Sequence, residues 1–216
     1  MKSVLVIGMG RFGRHLAKKL TELGNDVVIV DRDEEVIDRY ANVFTDSQVG
    51  DCTNVNVVHA LGVNHYDVCF VAIGEDFQSS LVVTSLLKEL GAKYVVSKAK
   101  QDIQADLLKK IGADEVVCPE REAAEKLAIR HNADNIFDYI KLTSEYAIYE
   151  IPMPTAFAGK TISEINIRQK FNINIIAMKE GSVLRPMPGP DYRFKSGDHM
   201  VVLGKSTDVF RLAAKL

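Results

Sequence analysis

The chain has 216 residues, with 27 Lys+Arg against 29 Asp+Glu and no basic block, a balance that counts against a nucleic-acid partner. Its length suits one large domain or a nucleotide-binding unit with a small appendage, and is enough for a real core. Cys52, Cys69 and Cys118 are odd in number, widely spaced and set in or beside apolar segments without a CxxC or Cys/His cluster, as expected of reduced, buried thiols rather than disulfides or zinc ligands.

Met1-Lys2-Ser3 leads straight into an apolar run, which leaves no room for a signal peptide, and no run approaches the ~18 residues of a membrane span. A cytoplasmic protein is expected. The run Val4–Ile7 stops at Gly8, glycines follow at Gly10 and Gly13, and an amphipathic helical pattern continues to Leu23. Strand, tight turn and helix start in that order are the signature of a dinucleotide-binding unit. Gly8 permits the turn, Gly10 lets the backbone approach a pyrophosphate, and Gly13 lets the helix pack closely on the strand. The unpaired N–H groups of the helix start then face the phosphates.

Branched runs at Asp26–Val30, Thr45–Val49, Val68–Ala72, Tyr94–Ser97 and Glu115–Cys118 alternate with helical patterns at Asp33–Asn42, Val55–Leu61, Phe77–Leu90, Ile103–Ile111 and Glu120–His131. This alternation predicts an α/β fold, a six-stranded doubly wound parallel sheet over residues 1–132. Gly24, Gly62, Gly91 and Gly112 each fall just past a helical stretch, where a left-handed closing residue is wanted.

Residues 133–143 read as a crossover helix or linker, with the short amphipathic piece Asn135–Leu142. Five of the six prolines lie beyond residue 150, and residues 144–216 read as a second, smaller α+β domain. Its expected strands are Tyr146–Ile151, Ile173–Met178 and Met200–Leu203, with a capping box at Thr161-Ile-Ser-Glu164 and a closing helix at Asp208–Leu216. Arg185-Pro-Met-Pro-Gly-Pro190 reads as a rigid loop with no strand or helix in it.

Asp31 ends the second strand 23 residues beyond Gly8. There a carboxylate can accept from both ribose hydroxyls and repel a 2′-phosphate, so NADP is disfavoured even with Arg32 adjacent. The alternative is a turn or helix-cap aspartate. Asp51, followed by Cys52, suits an adenine amine or equally a cap for the helix near Asn54. Arg11, inside the glycine turn, suits a terminal phosphate and shifts the ligand from a dinucleotide towards a nucleoside di- or triphosphate; a plain surface arginine is the other reading. Glu120, after Pro119, either favours the positive end of its helix or meets a divalent cation. Met9, Phe12, Ile73, Gly74 and Lys98 complete the candidate nucleotide site.

Tyr94 and Lys98 match a YxxxK catalytic spacing, but on a strand the two side chains stand ~13 Å apart, so no catalytic pair is expected. The second domain offers no acid/base residue for an oxidoreductase, and no recognition helix or basic surface supports a repressor. His15, His59, His65, His131 and His199 lack metal-ligand spacing and are expected on surfaces.

Gly8-Met-Gly-Arg-Phe-Gly13, Asp31, Gly50-Asp51, Val71-Ala-Ile-Gly74 and Ile111-Gly-Ala-Asp114 with Pro119-Glu120 together resemble the cytosolic RCK regulatory subunits of bacterial Ktr/Trk potassium uptake systems, over essentially the whole chain. The resemblance implies a homo-octameric gating ring docked on an integral-membrane potassium channel or transporter subunit, with ATP and ADP exchanging in the cleft and NAD or NADH as the Trk-type alternative. It places Arg11 on the terminal phosphate of ATP, in a neighbour's site, Asp31 on the ribose, and Glu120 on a Mg or Ca ion bridging subunits. It also implies that the second domain binds cyclic di-AMP between two copies, with Arg168, Asn174, Ile175 and Pro190 in the matching region.

Overall fold

The computed structural model describes residues 1–40, 42–132 and 137–213. The chain falls into two compact units, Met1–Glu122 and Ala123–Leu216.

The first unit holds six parallel strands, β1 (Ser3–Ile7), β2 (Asp26–Asp31), β3 (Asp46–Val49), β4 (Val68–Val71), β5 (Val95–Lys98) and β6 (Glu115–Val117), in the order β3-β2-β1-β4-β5-β6. The intervening helices are α1 (Arg11–Glu22), α2 (Glu34–Tyr40), α3 (Val55–Ala60), α4 (Phe77–Glu89) and α5 (Asp102–Ile111), and α6 (Pro119–Asn132) contains the division between the units. β1 is apolar throughout because both its faces are covered. Val4 and Val6 pack with Ala17 of α1 and Ile37 of α2, while Leu5 and Ile7 pack with Val58 of α3 and Val83 and Leu87 of α4. The chain winds outward from β1 to β3 and then returns to β4 on the other side of β1. That reversal opens a crevice at the carboxyl ends of β1 and β4. Gly24, Gly62, Gly91 and Gly112 all have positive φ, as the helix-closing positions require.

Asp114, just before β6, locks this sheet from the side. It accepts the Val95 N–H at 2.7 Å and the Lys88 ammonium at 2.9 Å. Burial works against its ionisation, but these two donors outweigh burial and hold the carboxyl below the ordinary 3.8. The stability it contributes is whole above that ordinary value and is lost as pH falls through the lowered folded value. Asp114→Asn is therefore expected to flatten the acid limb of stability, costing more at pH 7 than at pH 3, as urea midpoints across that range would show.

The second unit is a five-stranded antiparallel sheet in the order β10-β9-β11-β8-β7, made of β7 (Asp138–Lys141), β8 (Tyr146–Pro152), β9 (Asn174–Glu180), β10 (Val183–Pro186) and β11 (His199–Lys205). Alternate residues Ala147, Tyr149 and Ile151 of β8 and Met200 and Val202 of β11 face a core closed by Ile165 of α7 (Ile162–Ile165), Ile167 and Phe171 of α8 (Ile167–Phe171), and Val209 and Leu212 of α9 (Ser206–Ala213). The capping box forms as expected, with Thr161 and Glu164 each accepting the other's backbone N–H.

Three expectations fail here. Residues 138–141 are an edge strand paired with β8 rather than part of a crossover helix, and 133–136 lie outside the described residues. Apolar residues spaced as on a helix are equally branched and aromatic, and stacking of Tyr139 on Tyr149 at 5.9 Å favours the strand. Arg185 and Pro186 belong to β10 rather than to a loop. An edge strand tolerates a proline at its end, and the next residue, Met187, donates to the Ile176 carbonyl at 2.8 Å. His199 is also not a surface histidine: it is half-buried on β11, with Nδ1 2.8 Å from Glu150 Oε1 and its ring stacked on Phe137 at 4.3 Å.

Candidate nucleotide-binding site

The glycine turn is fixed by its backbone. Gly8 has φ +96°, which only glycine adopts cheaply, and its N–H donates to the Val30 carbonyl at 2.8 Å. A Cβ on Gly13 would lie 2.0 Å from the Gly8 carbonyl oxygen, so the helix can approach the turn only without a side chain there. Gly10 differs: it is the N-cap of α1 in extended backbone, with no side-chain cap, and a Cβ on it would meet nothing within 4 Å. The space beside it is open cleft. The first backbone bond of α1 is Arg14 N–H to Gly10 O, and its first turn carries no acidic residue, so the positive helix end faces outward without a counter-charge of its own.

Asp31 ends β2 against this turn. Its Oδ2 accepts the Met9 N–H at 2.6 Å and its Oδ1 accepts the Asp33 N–H at 3.1 Å. Asp33, not Asp31, holds the start of α2, accepting from Glu35 and Val36. Each Asp31 oxygen keeps a second acceptor position, enough for a pair of hydroxyls.

Asp51 accepts from the Thr53 N–H at 2.9 Å and the Thr53 hydroxyl at 2.8 Å, and these bonds, the N–H first, hold its carboxyl low, helped by the Arg32 charge. The cap of α3 is Asn54, whose side chain accepts from Asn56. Burial pushes the Cys52 thiol up to about 12, with the Asp51 and Asp31 charges adding to it, so it stays protonated.

A cleft of about 220 Å³ brings together Gly8, Gly10, Asp31, Arg32, Asp51, Cys52, Ile73 and Gly74. Four polar lining residues escaped the sequence reading: Thr53, Glu75, Asp76 and Ser79. Asp76 caps α4, accepting the Ser79 N–H at 3.1 Å, and that cap spacing was the signal available for it. Met9 is buried beneath the turn, Gly13 is packed on Gly8, and Arg11 is exposed at the helix start with no hydrogen-bond or ion-pair partner among the described residues.

Lys98 and Glu120 lie beside this cleft. Lys98, at the end of β5, is 9% exposed, and its ammonium is 2.6 Å from Oε1 of Glu120, which is 65% exposed in the first turn of α6. The same ammonium is 5.6 Å from the centre of the Phe12 ring, and a Cβ on Gly74 would be 3.5 Å from it. The Lys98 hydrogen bond holds the Glu120 carboxyl low. Tyr94, just before β5, donates to Glu115 instead, so the YxxxK residues do not meet. Among the described residues no three His, Cys, Asp or Glu side chains converge as a metal site. Glu120, expected to meet a Mg or Ca ion between subunits, is engaged within this chain by the Lys98 ammonium.

A second cleft of about 250 Å³ brings Arg168, Asn174 and Ile175 together with Ile162, Ser163 and Pro188. Pro190 is not in its lining; its carbonyl accepts the Ser163 N–H at 3.0 Å. Among the described residues no helix is long and apolar enough to cross a membrane.

Residues 4–119 match the TrkA-N domain family and residues 146–216 the TrkA-C domain family. The chain is 37% identical over 215 residues to Ktr system potassium uptake protein C of Bacillus subtilis strain 168, covering 100% of this chain and 97% of that protein. It is 33% identical over 210 residues to Ktr system potassium uptake protein A of the same organism, covering 97% and 95%. Among solved structures, the GsuK channel bound to NAD superimposes with a TM-score of 0.69 at 22% identity, over 96% of this chain and 38% of that one. These relatives are named for potassium uptake rather than for a reaction. With both domains matched in order and the likeness running the whole length, the chain belongs to the RCK regulatory subunits of Ktr potassium uptake systems.

Proposed function

We propose that this chain is a cytoplasmic sensor of ATP and ADP that assembles into a homo-octameric ring and sets the activity of an integral-membrane potassium channel or transporter subunit, to which it docks peripherally. The observation that carries the reading is the juxtaposition at the start of α1. An open glycine cradle, a carboxylate with free acceptor positions at Asp31, and two cations, Arg11 and Lys98, surround the place where phosphates would lie. The cleft fits an adenine nucleotide because the space beside Gly10 is one that a side chain would fill. The bound nucleotide supplies the charge that distinguishes its two forms.

The chain's own part is differential binding. A nucleotide can favour one ring shape only through contacts that differ between the shapes. Arg11 is exposed and unengaged among the described residues, so it is free to meet a terminal phosphate, including one held by a neighbouring subunit. Asp31 orients the ribose and disfavours a 2′-phosphate. Arg11→Ala is expected to weaken ATP binding about tenfold and ADP binding much less, because a charge-assisted contact to the terminal phosphate is lost. Calorimetric titration of the full chain with each nucleotide checks this, and equal losses for both would contradict the role.

A NAD- or NADH-binding regulator of the Trk type is the alternative for the same cleft, supported by the fold shared with the NAD-bound GsuK channel. For the second cleft the reading is cyclic di-AMP held between two copies, supported by the convergence of Arg168, Asn174 and Ile175. Titrating the same protein with cyclic di-AMP tests it. Glu120 is the carboxylate proposed to meet a Mg or Ca ion between subunits, and no step here is routed through that ion.

A further inference from the structure

The Lys98–Glu120 pair is unequal in a way that decides which partner can leave. Lys98 is nearly buried and cannot turn to water, so its ammonium needs an anion where it is. Glu120 does not need Lys98 in the same way. Its carboxylate is mostly in water and stands in the first turn of α6, where the positive helix end favours it regardless.

The ammonium's position makes an exchange possible. It lies 3.5 Å from where a Gly74 Cβ would be, and Gly74 lines the nucleotide cleft. It also sits over Phe12, the second residue of the helix whose N–H groups are unpaired. Lys100 flanks Gly74 as well, its Cε 3.7 Å from the same point, but its ion pair with Glu75 is long, at 3.7 Å, and exposed. Lys98 is thus the buried cation at this wall, held by a carboxylate that can rotate away.

We infer that Lys98 is a specificity-determining residue that exchanges Glu120 for the terminal phosphate of a nucleoside di- or triphosphate seated at the start of α1, releasing the Glu120 carboxylate at the head of α6. The inference rests on the nucleotide reading of the cleft and adds what reads the phosphate end. Glu120 competes with the ligand for one ammonium, so it opposes binding rather than assisting it. The release also carries a signal out of the cleft, because the freed carboxylate belongs to α6 and not to the nucleotide site.

The sign of the Glu120 effect distinguishes exchange from structural support. The full chain would be titrated calorimetrically with ATP and with adenosine, in chelator so that no divalent cation contributes. Glu120→Gln keeps the shape of an exposed side chain and removes the competing charge. It should tighten ATP binding about two- to fivefold, the worth of a partly exposed ion pair, and leave adenosine unchanged. Lys98→Met should weaken ATP about tenfold or more and leave adenosine unchanged, which also reports that the variant is folded. ATP binding that is unaltered or weaker in Glu120→Gln, with adenosine still bound by the wild type, would overturn the exchange alone. Failure of the wild type to bind either ligand would overturn the nucleotide reading and the exchange with it.

Discussion

Gly13→Ala is expected to destabilise the first unit by about 3 kcal/mol or more, lowering the urea midpoint by about 1 M, whereas Gly10→Ala shifts stability by no more than about 1 kcal/mol. The two substitutions add the same methyl group three residues apart. At Gly13 the methyl meets the Gly8 carbonyl oxygen at 2.0 Å, a backbone atom that cannot move without opening the turn or lifting α1 from the sheet. At Gly10 it enters open space, and the backbone there, φ −62° and ψ −175°, suits alanine. Nucleotide affinity should fall about tenfold or more in Gly10→Ala despite its intact fold, because the methyl occupies the closest approach of a phosphate to the backbone. Denaturation and titration of both variants separate a glycine kept for packing from one kept for a ligand. Similar losses of stability in the two would show that the separation is wrong.

Replacing Asp31 should give the second large effect, and the choice of replacement divides its two roles. Asp31→Ala leaves the Met9 and Asp33 N–H groups without their acceptor beside a buried turn, costing about 1–3 kcal/mol. Asp31→Asn keeps an acceptor for Met9 and should hold most of that stability. Both variants lose the ionised carboxylate offered to the ribose, so both should bind ATP and ADP about tenfold more weakly. Full nucleotide affinity in Asp31→Asn would mean that this carboxylate serves the turn alone.

The contrast between these two positions shows what could be read from the residues themselves. The glycine turn, the position of Asp31 and the six parallel strands were legible because each depends on local rules, the freedom of glycine, short branched apolar runs alternating with helical patterns, and short connections. The turn at Gly8 and the close packing at Gly13 hold in the geometry, and the space beside Gly10 is open. What escaped depends on partners distant in sequence. β7 is a strand because β8 is there to pair with it, and Pro186 ends a strand because β10 lies at a sheet edge. Lys98 and Glu120 each drew attention separately, but nothing in a spacing of 22 residues says that a buried ammonium and an exposed carboxylate meet at 2.6 Å. Thr53 and Ser79 were missed for a related reason: their hydroxyls serve Asp51 and Asp76, and so shape the cleft from behind.

Around the cleft, Asp31, Asp51 and Asp76 are all tied by backbone N–H groups, so the end proposed for adenosine is set before a ligand arrives. The phosphate side is different: Arg11 is exposed at the helix start, and Lys98 is held by a carboxylate that can leave. A site rigid at one end and adjustable at the other suits the proposed sensor, which would tell ATP from ADP while gripping both. The most direct test is a calorimetric titration of this chain with ATP, ADP and NADH under identical conditions. This account predicts one adenine nucleotide bound per chain, with ATP and ADP both tighter than NADH; NADH binding more tightly than either would contradict it.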